Sequence, residues 1–409
     1  MNLYRILLAS IAISLPLSRL VAAQPDRYAA ARNRMVETAV VQSGVKNQRV
    51  IRAMRETPRH EFIPPENRRL AYYDMGVPIG FGQTISSPFI VAYMTESLDP
   101  QPTDRVLEVG TGSGYQAAVL SPLVKEVYTI EIVEELGRRA AETLERLGYT
   151  NVHTKIGDGF QGWPEHAPFD KIIVTCSPEK VPQPLVDQLA EGGLMVIPVG
   201  ERYQQTLYLF RKVHGRLEAQ PLRPTLFVPM TGRAESGRQV RPDPEHPRIL
   251  NGSFEKPPGK NGFIPGWYYQ RQTQHVRDKR APDGEYIVRF TNRQPGRAAH
   301  LFQGLAIDGR KITRVIFSAY VATKKVRPSQ GPRDGAIVGI IFYDGDRKEV
   351  GRETLKVLVG DNPWQKLTRT LTVPVSVREA IVSVGMFGAT GEMRLDDVRL
   401  EVAQRATDE

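Results

Sequence analysis

Residues 105–120, Arg105-Val-Leu-Glu-Val-Gly-Thr-Gly-Ser-Gly-Tyr-Gln-Ala-Ala-Val-Leu120, leave the chain few folds to choose from. Val106, Leu107 and Val109 form a short apolar run that ends at Gly110, the pattern of a buried parallel strand. Gly110, Gly112 and Gly114 let the backbone turn sharply and approach a ligand, and Ala117 to Leu120 resume at helical spacing. A strand, a glycine turn and a helix start make a nucleotide-type site, where free N–H groups and the helix dipole face an anionic group. A dinucleotide fingerprint needs Gly or Ala where this chain has Tyr115. The spacing therefore argues against NAD and for S-adenosylmethionine, whose carboxylate can use the same amides.

Val127-Tyr-Thr-Ile-Glu131 reads as the next strand. It ends in an acid about 20 residues after the first glycine, where a ribose-binding carboxylate is expected. From 104 to 200 strands alternate with helices, with strands at 105–109, 127–131, 152–156, 170–175 and 193–198. Helices are expected at about 115–123, 133–147 and 182–191. This predicts an α/β fold, a doubly wound, mostly parallel sheet, with antiparallel strands 207–213 and 217–228 added at its edge. Ahead of it, residues 28–55 have amphipathic helical spacing, and 57–99 are loop-rich.

Composition changes after Met230. The polar, proline-rich stretch 233–247 reads as a linker, and beyond it short alternating strands separated by turn residues predict an all-β sandwich over 248–403, with a tail at 404–409. The strands are expected at 285–290, 300–303, 313–321, 336–343, 366–373, 380–387 and 393–402.

Residues 1–23 have the form of an export signal: Arg5 in the head, an apolar stretch from Ile6 to Leu17, and small residues at Val21-Ala-Ala23. The expectation is an exported protein without a transmembrane span, its α/β domain occupying 24–232. The net charge of +10 forms no basic block, so nucleic acid is not an expected partner. A single cysteine, Cys176, excludes an internal disulfide and a cysteine-cluster metal site. Cys176 itself, with no neighbouring histidine, reads as a small buried residue after a strand.

Several blocks together resemble the protein-L-isoaspartate O-methyltransferases. They are Pro78-Ile-Gly-Phe-Gly-Gln-Thr-Ile-Ser86-Ser-Pro88, Leu107-Glu-Val-Gly-Thr-Gly-Ser-Gly-Tyr115, Gly157-Asp-Gly159, Phe169-Asp-Lys-Ile-Ile-Val-Thr175, Glu191-Gly-Gly-Leu194 and Arg223 to Met230. The first is close to diagnostic. The resemblance implies methyl transfer from S-adenosylmethionine to the free carboxylate of L-isoaspartyl residues in damaged proteins or peptides. It places Ser86 at the active-site serine, with Ser87, Pro88 and Phe89 as the adjoining substrate and cofactor segment. Gly110, Thr111, Gly112, Ser113 and Gly114 match the loop at the methionine end, Glu131 the ribose acid, Asp158 with Gly159 the adenine contact, and Thr231 a position near the cofactor. Glu108 is counted with them as a hydrogen-bonding organiser of the loop. Phe89-Ile-Val91 replaces the His-Met-His of the animal enzymes, so no histidine role carries over.

The chemistry fits these residue types. A carboxylate nucleophile is already ionised at neutral pH, so the site must align it and exclude water and needs no strong base. A hydroxyl such as that of Ser86 can orient one oxygen without neutralising it. Taken alone, Ser86 also reads as a helix N-cap before Pro88. Two other functions stay open at this level: a methyltransferase of the same fold acting on another carboxylate, and a glycan- or envelope-binding protein with a vestigial methyltransferase domain.

In the second half, Asn251-Gly-Ser-Phe-Glu255, Gly266-Trp267 and Leu395-Asp-Asp-Val-Arg-Leu400 resemble carbohydrate-binding modules of the galactose-binding-like jelly-roll type. That resemblance makes Glu255 and Asp396 candidate oxygen ligands of a structural calcium. It leaves Trp267, Tyr268 and Tyr269 as core packing or, alternatively, a sugar platform.

Overall fold

The computed structural model describes residues 26–329 and 334–406. The expected export signal lies outside them. The chain opens with α1 (Ala29–Met35), which passes through a π-turn at Val36–Val40 and a 3-10 turn at Val41–Ser43. Gly44, at φ 103°, ends this stretch, and α2 (Gln48–Glu56) restarts behind Asn47, whose Oδ1 accepts the amides of Arg49 and Val50. The amphipathic stretch is thus two helical pieces with one buried face, carrying Val36, Val40, Val50, Ile51 and Met54.

A small hairpin, β1 (Val77–Gly80) and β2 (Gln83–Ile85), leads into α3 (Pro88–Leu98). The α/β alternation follows: β3 (Arg105–Val109), α4 (Tyr115–Leu120), β4 (Glu126–Glu131), α5 (Glu134–Arg146), β5 (Val152–Ile156), β6 (Phe169–Val174), α6 (Gln183–Gln188) and β7 (Leu189–Glu201). The antiparallel pair β8 (Gln204–Val213) and β9 (Arg216–Thr225) closes a seven-stranded sheet of order β5-β4-β3-β6-β7-β8-β9. Helix α6 is shorter than expected. Leu189 already pairs with Phe169, and Gly192, at φ 79°, cannot continue a helix cheaply, so 189–191 belong to β7.

The second domain is a sandwich of two five-stranded sheets, ordered β10-β13-β18-β15-β16 and β11-β12-β19-β14-β17. Its strands are β10 (Tyr268–Arg271), β11 (Thr273–Arg277), β12 (Tyr286–Asn292), β13 (Ala298–Ala306), β14 (Ile312–Arg327), β15 (Ala336–Tyr343), β16 (Glu349–Leu358), β17 (Gly360–Thr372), β18 (Glu379–Phe387) and β19 (Thr390–Arg405). The three strands not anticipated, β10, β11 and β16, all lie at sheet edges. An edge strand is under little pressure to alternate apolar and polar residues, so it lacks the sequence signal of a central one. Strand β19 runs to Arg405, so the tail expected from 404 begins later. Among the described residues no helix is long and apolar enough to cross a membrane.

The segment between the domains is not a free tether. It carries α7 (Arg233–Ser236) and the buried Arg238, which donates to Gly200 O at 2.9 Å and Ser177 O at 3.1 Å. Across the seam, Tyr203 packs its ring on Gly304, where a Cβ would lie 2.6 Å from the ring. Its hydroxyl donates at 2.9 Å to the buried Glu379, which also pairs with Arg202 and Arg347.

Trp267 is fully buried in the sandwich core beside Phe254, and its Nε1 donates to Asn251 O at 3.0 Å. Tyr268 is buried too, and Tyr269 packs on the core of the first domain. These rings are packing groups, and the sugar-platform alternative does not hold for them. Trp267→Ala should cost about 3–5 kcal/mol of stability by the cavity it leaves. Urea denaturation followed by far-ultraviolet circular dichroism checks this; a loss under 1 kcal/mol would contradict the packing described.

Candidate active site

The order β4-β3-β6-β7, all parallel, places the reversal of strand order between β3 and β6, and a crevice opens beyond their carboxyl ends. A cavity lies there. Gly110 and Gly112 form one wall, Glu131 and Ile132 another, and Thr175 and Cys176 the floor, with Gly159 and Val228 to Thr231 beside them. Ile79, Gln83 and Thr84 of the β1–β2 hairpin cover it. The hairpin therefore brings the most distinctive sequence block onto the glycine turn.

The glycines fit by necessity. A Cβ on Gly110 would lie 2.5 Å from Thr175 Oγ1, and one on Gly159 would lie 2.4 Å from Val109 Cγ1. Both φ and space are special at Gly110 (φ 96°). The turn spends more of its amides internally than the motif alone implies. Gly110 and Thr111 donate to Ile130 O, Gly114 donates to Thr111 O, and Gly112 donates to Glu131 Oε2 at 2.7 Å. Of residues 110–114, Ser113 alone keeps an amide without a partner among the described residues.

Glu131 is 5 % exposed and also accepts the Val133 amide at 2.9 Å through Oε1. Burial pushes its carboxyl above the ordinary range, while the amides of Val133 and Gly112 pull it back. Each oxygen keeps a lone pair for a ligand hydroxyl. An acid with two such oxygens, at the mouth of a glycine cradle that admits no side chain, fits the ribose and amino-acid ends of S-adenosylmethionine.

The other expected residues divide. Gly159 and Thr231 line the cavity. Asp158 accepts the Phe160 amide at 3.0 Å and the Arg233 amide at 3.0 Å, so it ties the loop after β5 to the start of α7. Glu108 lies beneath the turn, fully buried, and does not line the cavity. It is joined to Thr129 Oγ1 at 2.6 Å, and Thr129 to Thr111 Oγ1 at 2.6 Å, so its reach toward a ligand runs through the loop. Burial pushes the Glu108 pKa up to about 8. Cys176 is at the floor, where burial and the charges of Glu131 and Asp158 push its thiol far above neutrality. It has no thiolate to offer as a nucleophile.

Ser86 is half-buried, and its carbonyl accepts from Arg59 Nη2 at 2.7 Å. The N-cap alternative fails by one residue: α3 starts at Pro88 with Ser87 as N-cap, and no side chain of the N-cap bonds the helix. The Phe89 amide is instead taken by Asp74 Oδ1 at 3.2 Å. Asp74 and Arg59 carried no motif-level signal, because each acts through contacts made only when the chain is folded, whereas the lining residues Gln83 and Thr175 lie within the quoted blocks without having been singled out.

In the sandwich, Glu255 Oε1 accepts the amides of Glu285 at 2.9 Å and Tyr286 at 2.8 Å. Asp396 accepts those of Asp283 at 2.9 Å and Asp397 at 2.7 Å. Both acids serve as turn organisers, and no group of three or more His, Cys, Asp or Glu among the described residues could hold a metal ion.

Residues 30–235 match the family model described as protein-L-isoaspartate(D-aspartate) O-methyltransferase. The chain is 52% identical over 198 residues to a protein-L-isoaspartate O-methyltransferase of Gloeobacter violaceus, covering 48% of this chain and 97% of that relative. It is 47% identical over 239 residues to a Cupriavidus necator protein of that name, covering 56% of this chain and 92% of the relative. A Plasmodium falciparum structure titled as such a methyltransferase in complex with S-adenosyl-L-homocysteine is 27% identical, with a TM-score of 0.43 over 49% of this chain and 98% of its own.

The buried Glu108 sets a pH dependence. Burial raises its folded pKa from the ordinary 4.5 to about 8, so the folded state holds the extra proton between these values. Its contribution is complete below the unfolded pKa and declines as pH rises to about 8, on the order of 1 kcal/mol per pH unit. Glu108→Gln keeps the shape without the charge, so its stability advantage over wild type should widen from pH 5 to pH 8. Thermal melts across that range decide it; a constant difference would contradict a protonated Glu108.

Proposed function

The chain belongs to the protein-L-isoaspartate(D-aspartate) O-methyltransferase family, and from that premise we propose how its residues divide the work and where the protein acts. It is an enzyme that methylates L-isoaspartyl residues with S-adenosylmethionine. The methyl ester so formed is an activated acyl group, from which a succinimide can close and repair can begin.

In our reading the cofactor supplies an electrophilic methyl on a sulfonium. Gly110 to Gly114 receive its amino-acid end, Glu131 accepts its ribose hydroxyls, and Gly159 lies beside the adenine with Asp158 fixing that wall. Ser86 donates its hydroxyl to one oxygen of the acceptor carboxylate and so points the other at the methyl. Ser87, Pro88 and Phe89 hold the serine at the head of α3. The β1–β2 hairpin excludes water from above. No group is asked to remove a proton.

The reading rests on one observation: Ile79, Gln83 and Thr84 line the same cavity as Gly110 and Glu131. The block that carries acceptor specificity and the turn that carries the cofactor thus share one space. Export rests on the pattern of residues 1–23. N-terminal sequencing of the mature protein from fractionated cells tests it, since an intact Met1 in a cytoplasmic fraction would reject export. A glycan on Trp267 to Tyr269 has no part in the reading, because those rings pack within the fold.

Labelled S-adenosylmethionine and paired peptides should give a base-labile methyl ester on the isoaspartyl peptide and not on its aspartyl twin. Equal labelling of both would return the alternative of a general carboxylate methyltransferase.

Two substitutions test the division of labour. Glu131→Ala should weaken cofactor binding by about 1.5–3 kcal/mol by calorimetry, the value of a charge-assisted hydrogen bond. Ser86→Ala should lower kcat by about ten- to a hundredfold with cofactor affinity kept, and higher pH should not restore it. Full turnover in Ser86→Ala would remove the serine from the site.

A further inference from the structure

The 198-residue match takes in 97% of the Gloeobacter relative, so the sandwich has no counterpart there, yet in this chain it reaches the acceptor segment. Arg271, at the end of β10, enters the first domain. Its Nη2 pairs with Asp74 Oδ2 at 2.9 Å and donates to Ser43 Oγ at 2.7 Å. Its guanidinium carbon lies 4.0 Å from the centre of the Phe89 ring. Asp74 in turn takes the Phe89 amide through its other oxygen. One residue of the sandwich thus holds both the ring of Phe89 and the acid that caps α3, directly behind Ser86 and Ser87.

The surroundings make this hold specific. Arg223 lies over the same ring at 4.7 Å and donates to Gln270 O, next to Arg271, at 3.1 Å. Burial and the nearby Arg271 lower the Arg223 pKa to about 10. Arg59, fully buried, ties the Ser86 carbonyl to Ala71 O. Three buried guanidiniums therefore gather around the start of α3, Arg271 alone pairing with Asp74, and burial keeps His300 nearby neutral. A second contact comes from the loop after β15: a Cβ on Gly82, in the hairpin over the cavity, would lie 2.1 Å from Asp346 O.

We infer that the sandwich is an intramolecular buttress for the acceptor segment, with Arg271 a positioning residue that holds the start of α3 through Asp74 and Phe89. This rests on the reading of Ser86 to Phe89 as the acceptor segment. A shift of that segment by about 1 Å is enough to cost up to a hundredfold in rate.

The full-length protein tests it. Arg271→Met should lower kcat/KM for the isoaspartyl peptide by about ten- to a hundredfold while leaving cofactor affinity within about twofold. Amide exchange in 86–98 should quicken in the same variant. Arg271→Lys should recover part of the loss, since it keeps the charge toward Asp74 without the flat face over Phe89. Tyr203→Phe, which removes an interdomain bond elsewhere, should leave kcat/KM unchanged. Should Arg271→Met not fold, Asp74→Asn breaks the same pair from the other side and should give the same two effects.

Unchanged exchange in 86–98 overturns the buttress whatever the activity. So does faster exchange with unchanged kcat/KM on a peptide the wild type methylates, or an equal loss in Tyr203→Phe. A wild type that does not methylate the isoaspartyl peptide fails the acceptor reading instead, and exchange still decides whether Arg271 holds the segment.

Discussion

The crevice where strand order turns between β3 and β6 is the constraint from which the other features follow. A parallel sheet leaves its strand ends open at that point, because the helices after neighbouring strands leave on opposite faces. The backbone must bend away within a few residues, and Gly110 meets Thr175 Oγ1 so closely that no side chain fits. The ligand space is therefore a by-product of topology. What the sequence adds is a cover. The β1–β2 hairpin closes it from one side and Val228 to Thr231 from the other.

A cover made of loops needs support, and here much of the support is charged. Asp74, Arg223 and Arg271 are all under a tenth exposed, a costly arrangement unless each is paired or stacked. Phe89 supplies the stacking surface, and Asp74 supplies both the counter-charge and the helix cap. Burying polar groups gains little net stability over packing apolar ones, but it admits few alternative geometries. That suits the acceptor-aligning role we propose for this segment.

The sequence disclosed those parts of the site whose roles are local. The turn at Gly110 to Gly114 and the acid Glu131 are set by strand, spacing and strand end, so one short window carries them. The α/β order and the sandwich were legible from alternation, while β10, β11 and β16 were hidden because edge strands need not alternate. Glu255 and Asp396 organise turns through backbone amides, a role that sequence alone does not separate from cation binding. What the turn does with its amides was not legible: most bond back to Ile130, Thr111 and Glu131. Nor was the partnership of Asp74 with Arg271, which depends on two domains meeting. No periodicity or motif encodes a contact between elements so far apart in the chain.

The central claim is that the sandwich, seated on the first domain through Arg271, is coupled to the domain that holds the cofactor crevice. Differential scanning calorimetry of the full-length protein, with and without S-adenosyl-L-homocysteine, tests it most directly. Ligand at about a hundred times its Kd stabilises the state that binds it by about 2.7 kcal/mol. If the domains are coupled through the Arg271 seam, a single transition should move upward as a whole. Two separate transitions, with only the lower- or the higher-melting one responding to ligand, would contradict the account.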